Sequence, residues 1–98
     1  MTVAVTVDEL LDGLHVVTLP LRTRFRGVTE REVALVRGPR GWGEFAPFVE
    51  YAPQEAARWL DAAVEAAWQG WPEPRRARVP VNATVPAVPA ADVAEVIA

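Results

Sequence analysis

Residues 29–45 read TEREVALVRGPRGWGEF, in which two apolar segments flank a run of glycine and proline. Apolar and β-branched residues favour one strand over Thr29–Arg37 and another over Trp42–Phe45. Between them, residues 38–41 read GPRG, and such a run of glycine and proline is typical of a turn. The stretch therefore predicts two strands joined as an antiparallel hairpin.

The residues before this hairpin predict a third strand and a short helix. Leu14–Leu21 is rich in apolar and β-branched residues, and Pro20 marks the end or the edge of the strand. Arg22–Gly27 is polar and ends in glycine, which indicates a loop. Thr6 caps a helical turn that Gly13 ends. The strands together predict a three-stranded antiparallel meander.

One longer helix is predicted after the meander, over about residues 54–68. Pro53 suits the first helical turn, and six apolar residues recur at helical spacing on one face. Gly70 and Pro72 stop the helix. The apolar face consists of Ala56, Leu60, Ala63, Val64, Ala67 and Trp68. Sheet and helix in this order predict an α+β fold.

The last part of the chain predicts the opening of a β/α repeat. Residues 79–85 read VPVNATV, a strand with Pro80 at its entrance, and Asp92–Ala98 starts a helix without a stop signal. A strand and helix of this kind need a parallel neighbouring strand. We therefore expect two domains, residues 1–76 and the start of a truncated β/α domain at residues 77–98.

Composition excludes several classes of protein. The 98 residues are 51% hydrophobic and 23% charged, which favours a folded domain, and the net charge of -3 argues against nucleic acid or anionic membranes as partners. No apolar run approaches the ~20 residues of a membrane span, and the N-terminus lacks the basic region of a signal peptide, so we expect a cytoplasmic protein. The absence of cysteine excludes disulfides, and all 10 basic residues are arginine, which excludes a lysine base.

Three segments resemble one enzyme family. Residues 19–27, LPLRTRFRG, are similar to the first capping loop of o-succinylbenzoate synthases of the high-GC bacterial type. Residues 41–48, GWGEFAPF, resemble the Gly-x-Gly-Glu segment that ends the meander in the enolase superfamily, and residues 79–87, VPVNATVPA, resemble the first barrel strand of these synthases. The resemblance implies an N-terminal capping domain followed by the first β/α unit of a TIM barrel.

The resemblance also implies an activity for the parent protein. Such an enzyme is a lyase that dehydrates a succinyl-hydroxy-cyclohexadiene carboxylate to o-succinylbenzoate, on the route to menaquinone. A lysine base and a divalent metal, usually Mg²⁺, bound by carboxylates, would lie on later barrel strands. We therefore expect no catalytic residue and no metal ligand in this chain, which should be inactive without its barrel partner.

Substrate contacts are expected from the cap loops and the first barrel strand. Three arginines alternate over residues 22–26, so in extended chain they point to one side, and arginine matches the geometry of a substrate carboxylate. By the resemblance, the aromatic loop at residues 45–51 forms an apolar wall over the substrate. The predicted contacts are Arg22, Arg24, Phe25, Arg26, Gly27, Phe48, Tyr51, Asn82 and Thr84.

Other readings of the sequence stay open. The same scaffold hosts amino-acid racemases, dipeptide epimerases and cycloisomerases, and a chain of this size can also be a stand-alone α+β interaction domain without enzymatic activity. Glu44 and Glu50 invite an acid–base role, but Glu44 is more typical of a structural carboxylate. His15 lies between apolar residues in a strand, where a packed side chain is more common than a ligand.

Overall fold

The computed structural model describes residues 4–98, which form a three-stranded antiparallel sheet followed by a helix. The α+β fold and the meander are therefore confirmed. The elements in chain order are α1 (Val7–Asp12), β1 (Leu14–Phe25), β2 (Val28–Gly38), β3 (Gly41–Phe45), α2 (Pro53–Val64), a π-helical turn (Glu65–Gln69), a 3₁₀ turn (Ala90–Asp92) and α3 (Val93–Ile97).

The strands lie in the order β1-β2-β3, so each is beside its neighbour in the chain. Strands β2 and β3 pair antiparallel, with Ala34 opposite Phe45, Val36 opposite Gly43 and Gly38 opposite Gly41. Only two residues separate the paired glycines, which makes a tight hairpin. The turn predicted at residues 38–41 is confirmed.

Helix α2 lies very close to the sheet because two strand positions carry no side chain. A Cβ atom built on Gly43 would lie 2.7 Å from the carbonyl carbon of Ala63, and one built on Gly38 would lie 2.8 Å from that of Ala67. Real Cβ contacts are not this short, so backbone meets backbone here. The amide of Arg40 also donates to the carbonyl of Ala67 at 2.9 Å, which ties the hairpin to the π-helical turn.

The buried core among the described residues is made of small side chains. The predicted apolar face of the helix is confirmed, since all six of its residues are buried or half-buried. Two tryptophans lie outside this core, because Trp59 is 43% exposed and Trp71 is 79% exposed. The close approach of helix and sheet leaves no room for such rings between them. The core residues are Val33, Val36, Ala46, Ala63, Ala66 and Ala67.

Helix α1 begins at the predicted cap, Thr6, and Glu9 makes this cap reciprocal. The amide of Glu9 donates to Oγ1 of Thr6 at 3.2 Å, and the amide of Thr6 donates to Oε2 of Glu9 at 2.8 Å. The hydroxyl of Thr6 lies a further 3.0 Å from the same carboxylate oxygen. The bonds to the backbone and then the side chain of Thr6 lower the pKa of Glu9 below its ordinary value of 4.5.

Replacing Thr6 with alanine is expected to raise the pKa of Glu9 only part of the way to 4.5, because the backbone amide at position 6 remains. A lowered carboxylate pKa stabilises α1 above pH 4.5, and this contribution is lost as the pH falls through the folded-state pKa. An NMR titration of the Glu9 carboxylate in the two proteins measures the shift. An unchanged pKa in Thr6→Ala would contradict the role of the hydroxyl.

The chain divides into two compact units. The first comprises the described part of Met1–Leu19 together with Glu32–Pro72, and the second comprises Pro20–Arg31 and Glu73–Ala98. The two-domain division at residue 76, drawn from the sequence, stays a prediction.

The strand expected over residues 79–85 is wrong for this structure. These residues form no regular element, and all of them are exposed. Isolated β-propensity does not hold a strand, because its backbone groups need a neighbouring ladder, and Pro80 lacks an amide hydrogen. The helix expected over Asp92–Ala98 is present as α3, after the 3₁₀ turn.

Candidate functional site

The predicted first cap loop is in fact the tip of a long hairpin. Strand β1 continues to Phe25, so the loop expected over residues 22–27 is wrong, and only Arg26 and Gly27 form the turn. Both have positive φ, 50° and 79°, the combination that two-residue hairpin turns require. Gly27, which has no Cβ, occupies the second position of the turn, where a side chain would be strained.

Strand geometry sets the direction of the two arginines before this turn. Along the end of β1, Leu21 and Thr23 are half-buried while Arg22 and Arg24 are exposed, which is the alternation of a pleated strand. The two guanidinium groups therefore leave the same face of the hairpin, as the sequence spacing predicts. A Cβ atom added at Gly27 would lie 4.0 Å from Nη2 of Arg24, so the guanidinium group of Arg24 lies near the turn.

Both arginines line a cavity of about 360 Å³ within the second unit. One side, the arginine wall, is Arg22 and Arg24. Another, the acidic wall, is Asp92 at the end of the 3₁₀ turn and Glu95 in α3. The two residues are three positions apart and so lie on the same side of this helical segment. The complete lining is Arg22, Thr23, Arg24, Val88, Asp92, Glu95 and Val96.

The groups in this cavity are available to a ligand to different degrees. Nη2 of Arg22 donates to the carbonyl oxygen of Ala98 at 3.4 Å, a long bond that leaves most of its donors uncommitted. Asp92 precedes α3 but makes no capping bond with its side chain. The polar ends of the arginine and acidic side chains, together with two half-buried valines, therefore surround a space large enough for a small organic carboxylate.

A second group of predicted residues lies in the first unit. Phe48 and Tyr51 are half-buried, and their rings meet edge to face with centroids 5.7 Å apart. The amide of Tyr51 donates to the carbonyl of Phe48 at 3.1 Å, and the Tyr51 ring lies 5.6 Å from the ring of Trp59. This aromatic cluster fixes the loop between β3 and α2 on the first turns of the helix.

The remaining predicted contacts are not placed as expected. Asn82 and Thr84 are exposed and lie in the irregular segment, so neither projects from a barrel strand in this structure. Phe25 is 37% exposed at the end of β1, beside Arg26 in the turn. The structure thus brings Arg22 and Arg24 into one cavity, and Phe48 and Tyr51 into one cluster, within separate units.

Sequence reasoning missed the acidic wall. It predicted the helix at residues 92–98 but assigned no role to Asp92 and Glu95, because their partners lie some 70 positions earlier in the chain. The available signal was their spacing of three, which places both carboxylates on one face of any helix that forms.

Sequence reasoning also missed an aromatic stack on the sheet. The ring of His15 meets that of Trp42 edge to face at 5.3 Å, and the guanidinium carbon of Arg37 lies 5.6 Å from the Trp42 ring centroid. Nδ1 of His15 lies 3.2 Å from the carbonyl of Gly13. The packed side chain expected for His15 is what the structure has, although it packs on the surface of the sheet.

The described part of the chain offers no metal centre and no membrane-crossing helix. Across residues 4–98, no three or more histidine, cysteine, aspartate or glutamate side chains are grouped so that they could hold a metal ion. Within the same residues, no helix combines the length and apolar character that a membrane crossing needs. The cavity lining itself consists of arginine, threonine, carboxylate and valine side chains.

Comparison with known proteins agrees with this architecture. The model of the family described as "Enolase N-terminal domain-like" matches residues 16–67, which run from β1 into the π-helical turn and make up more than half of the chain. The chain belongs to the enolase N-terminal domain-like family. In this enolase-like domain the matched region contains most of the sheet, helix α2, the arginine wall and the aromatic cluster.

Several curated relatives are similar to this enolase-like domain over more of its length than the family model matches. A protein of Mycobacterium marinum named o-succinylbenzoate synthase is 61% identical over 93 residues, covering 95% of this chain and 28% of the relative. A protein of Mycobacterium leprae with the same name is 63% identical over 93 residues, with the same two coverages. One of Mycolicibacterium smegmatis is 61% identical over 92 residues, covering 94% of this chain and 29% of the relative. The chain thus spans under a third of the length of these relatives.

Proposed function

We propose that this chain is the N-terminal substrate-capping part of an o-succinylbenzoate synthase. The supporting observation is the identity of 61% that runs over 95% of the chain in a relative of that name. The proposed reaction converts a succinyl-hydroxy-cyclohexadiene carboxylate to o-succinylbenzoate, on the route to menaquinone and in the cytoplasm. The relatives' shared name favours this reaction over the racemase, epimerase and cycloisomerase alternatives.

The role of the chain in that reaction is binding and exclusion of water. It has no lysine to act as a base. Across its described residues, no three or more histidine, aspartate or glutamate side chains are grouped to hold a metal ion, so the Mg²⁺ expected of the parent enzyme does not fit this part of it. The reacting groups of the proposed enzyme lie in the part of the relatives that this chain does not cover.

The arginine wall is the proposed point of contact with a substrate carboxylate. Arginine presents paired N–H donors that fit a carboxylate in two parallel bonds, and such charged bonds are stronger than neutral ones. The turn at Arg26 and Gly27 holds the hairpin tip in one geometry, because both residues adopt positive φ. Phe25, Arg26 and Gly27 are then positioning residues around the contact.

The aromatic cluster is the proposed apolar wall of the cap. Its rings support each other, so Phe48 and Tyr51 can present a fixed surface to the ring of a substrate. Asn82 and Thr84 remain predicted contacts, which depend on residues 79–85 becoming a strand beside the rest of a barrel.

The length of the relatives supports a partner domain. The chain covers 28% of the Mycobacterium marinum relative, so most of that protein lies outside the matched region. The partner we propose is the barrel domain of the parent enzyme, and a stand-alone interaction domain would not require it.

A chimera tests the proposed function. In it, this chain replaces the 93 matching residues of the Mycobacterium marinum relative. The chimera is expected to form o-succinylbenzoate with a kcat/KM within about tenfold of the relative, whereas this chain alone is expected to form none. Product is measured by chromatography of the reaction mixture.

Two controls make the chimera decisive. The relative with its N-terminal region deleted reports what the remaining residues do without a cap. A chimera bearing the N-terminal region of an enolase-superfamily racemase reports whether any cap of this family suffices. A folded chimera that makes no product would refute the proposed function, and equal rates with the racemase cap would refute a role in substrate choice.

A further inference from the structure

The side chains of the two units carry opposite net charges. The first unit has nine carboxylates and three arginines, for a net charge of -6, and the second has seven arginines and four carboxylates, for a net charge of +3. The second unit is also the one that contains the cavity with the arginine wall. Positive charge is therefore concentrated in the part of the chain where the proposed ligand, an anion, would bind.

The positive excess of the second unit lies outside the cavity lining. In the lining, the two arginines of the arginine wall are balanced by the two carboxylates of the acidic wall. The remaining charged side chains of the unit are five arginines and two glutamates, which account for the whole excess of +3. A site for a dianion needs such an excess, so it must come from arginines that do not line the cavity. These arginines are Arg26, Arg31, Arg75, Arg76 and Arg78.

Three of these five arginines stand close together in the sequence, where residues 75–78 read RRAR. Arg75, Arg76 and Arg78, the basic run, are all exposed, and residues 75–77 form a bend outside the regular elements. Within residues 4–98, their guanidinium groups make no hydrogen bond or ion pair. No neighbouring carboxylate of the described chain therefore neutralises the charge of the basic run.

The basic run lies near enough to the cavity to act on it through solvent. The second unit has 38 residues, and a compact unit of that size has a radius of gyration of about 9 Å. Charges interact through water over about 10 Å at 0.1 M salt and over about 3 Å at 1 M salt. At moderate salt, the field of the basic run therefore extends to an anion at the arginine wall without a direct contact.

We propose that the basic run is an electrostatic capture site for dicarboxylates, which concentrates an anionic substrate around the arginine wall. The proposal rests on the proposed function for its ligand, because the proposed substrate carries one carboxylate on its ring and another on its succinyl chain. It deepens that function by assigning a role to arginines that bind no substrate atom. A dianion gains about twice the attraction of a monoanion, so the basic run favours ligands with two carboxylates.

The test uses the complete 98-residue chain at neutral pH with succinate, a dianion, and succinamate, a monoanion of similar size. Kd is measured by NMR titration of the Arg22 and Arg24 signals. At about 0.1 M salt, Arg75→Gln/Arg76→Gln/Arg78→Gln is expected to weaken succinate binding about five- to tenfold and succinamate binding about two- to threefold. At about 1 M salt, both losses are expected to fall below about 1.5-fold because the charges are screened.

Two matched variants separate charge from contact and from location. Arg75→Lys/Arg76→Lys/Arg78→Lys keeps the three charges without the paired donors of arginine, so its succinate Kd is expected to stay within about 1.5-fold of wild type. Arg40→Gln/Arg58→Gln removes two charges from the first unit, and its succinate Kd is also expected to change less than about 1.5-fold at 0.1 M salt.

Four results would overturn the proposal. They are equal losses for the two probes, losses that persist at high salt, an equal loss per charge removed from the first unit, and the absence of succinate binding at the arginine wall. None of these titrations requires turnover. The capture site can therefore fail while the chimera remains active, and the chimera can fail while succinate still binds in the expected order.

Discussion

Replacing Gly43 with alanine is expected to lower the free energy of unfolding of the first unit by about 2–3 kcal/mol, or about 10–20 °C in Tm. The new Cβ would lie 2.7 Å from the carbonyl carbon of Ala63 and 2.9 Å from its Cα. Both are backbone atoms of α2, so no side chain can rotate away to relieve the overlap. The helix must move off the sheet and open its small-residue core.

Chemical and thermal unfolding, followed by far-ultraviolet circular dichroism and tryptophan fluorescence, measure this loss. Glu44→Ala is the matched control, because Glu44 is the next residue on β3 and is exposed. Its effect is expected to stay within about 0.5 kcal/mol. A Gly43→Ala protein that melts within 2–3 °C of wild type would contradict the close approach of helix and sheet.

The helix and its face were predictable because one local pattern carried all the information. The apolar residues from Ala56 to Trp68 repeat at the period of a helix, and every one of them is buried or half-buried. The π-helical turn was not predictable. It inserts one residue in the last turn, seen in the bond from the amide of Gly70 to the carbonyl of Glu65, and periodicity averages over such a local change.

The predicted strand boundaries were wrong where pairing with a neighbouring strand, and not local composition, determines the structure. Residues 22–24 are polar and the sequence predicted a loop here, yet pairing with β2 extends β1 through them to Phe25. Residues 79–85 have strand composition but form none, because no strand in the described chain pairs with them. Propensity is a weak guide in both cases, since the ladder partner determines the outcome.

The sequence predicted one wall of the candidate site and not the other, because only one wall follows from a local pattern. The alternation of Arg22 and Arg24 placed both on one side of an extended segment, and the structure puts both in one cavity. The opposite wall comes from Asp92 and Glu95, far along the chain, and no local pattern pairs them with the arginines. The charge balance of the cavity is therefore a property of the tertiary fold.

Removing Arg24 from the active chimera is expected to lower kcat/KM by about 10- to 100-fold, with most of the loss in KM. A hydrogen bond to a charged group contributes about 1.5–3 kcal/mol, which corresponds to this range. Arg24 lines the cavity and lies 4.0 Å from the position of a Cβ on Gly27, so the side chain is held near the hairpin tip. Steady-state kinetics of Arg24→Ala and Arg24→Lys measure the effect.

The lysine variant separates charge from geometry at this position. Lysine keeps the positive charge but cannot make two parallel bonds to a carboxylate, so Arg24→Lys is expected to recover only part of the lost KM. Arg76→Ala is the control, because Arg76 is exposed in the same unit and does not line the cavity. If Arg24→Ala and Arg76→Ala had the same kinetics, the arginine wall would not be the point of substrate contact, because a carboxylate held by Arg24 must lose affinity when its donors are removed.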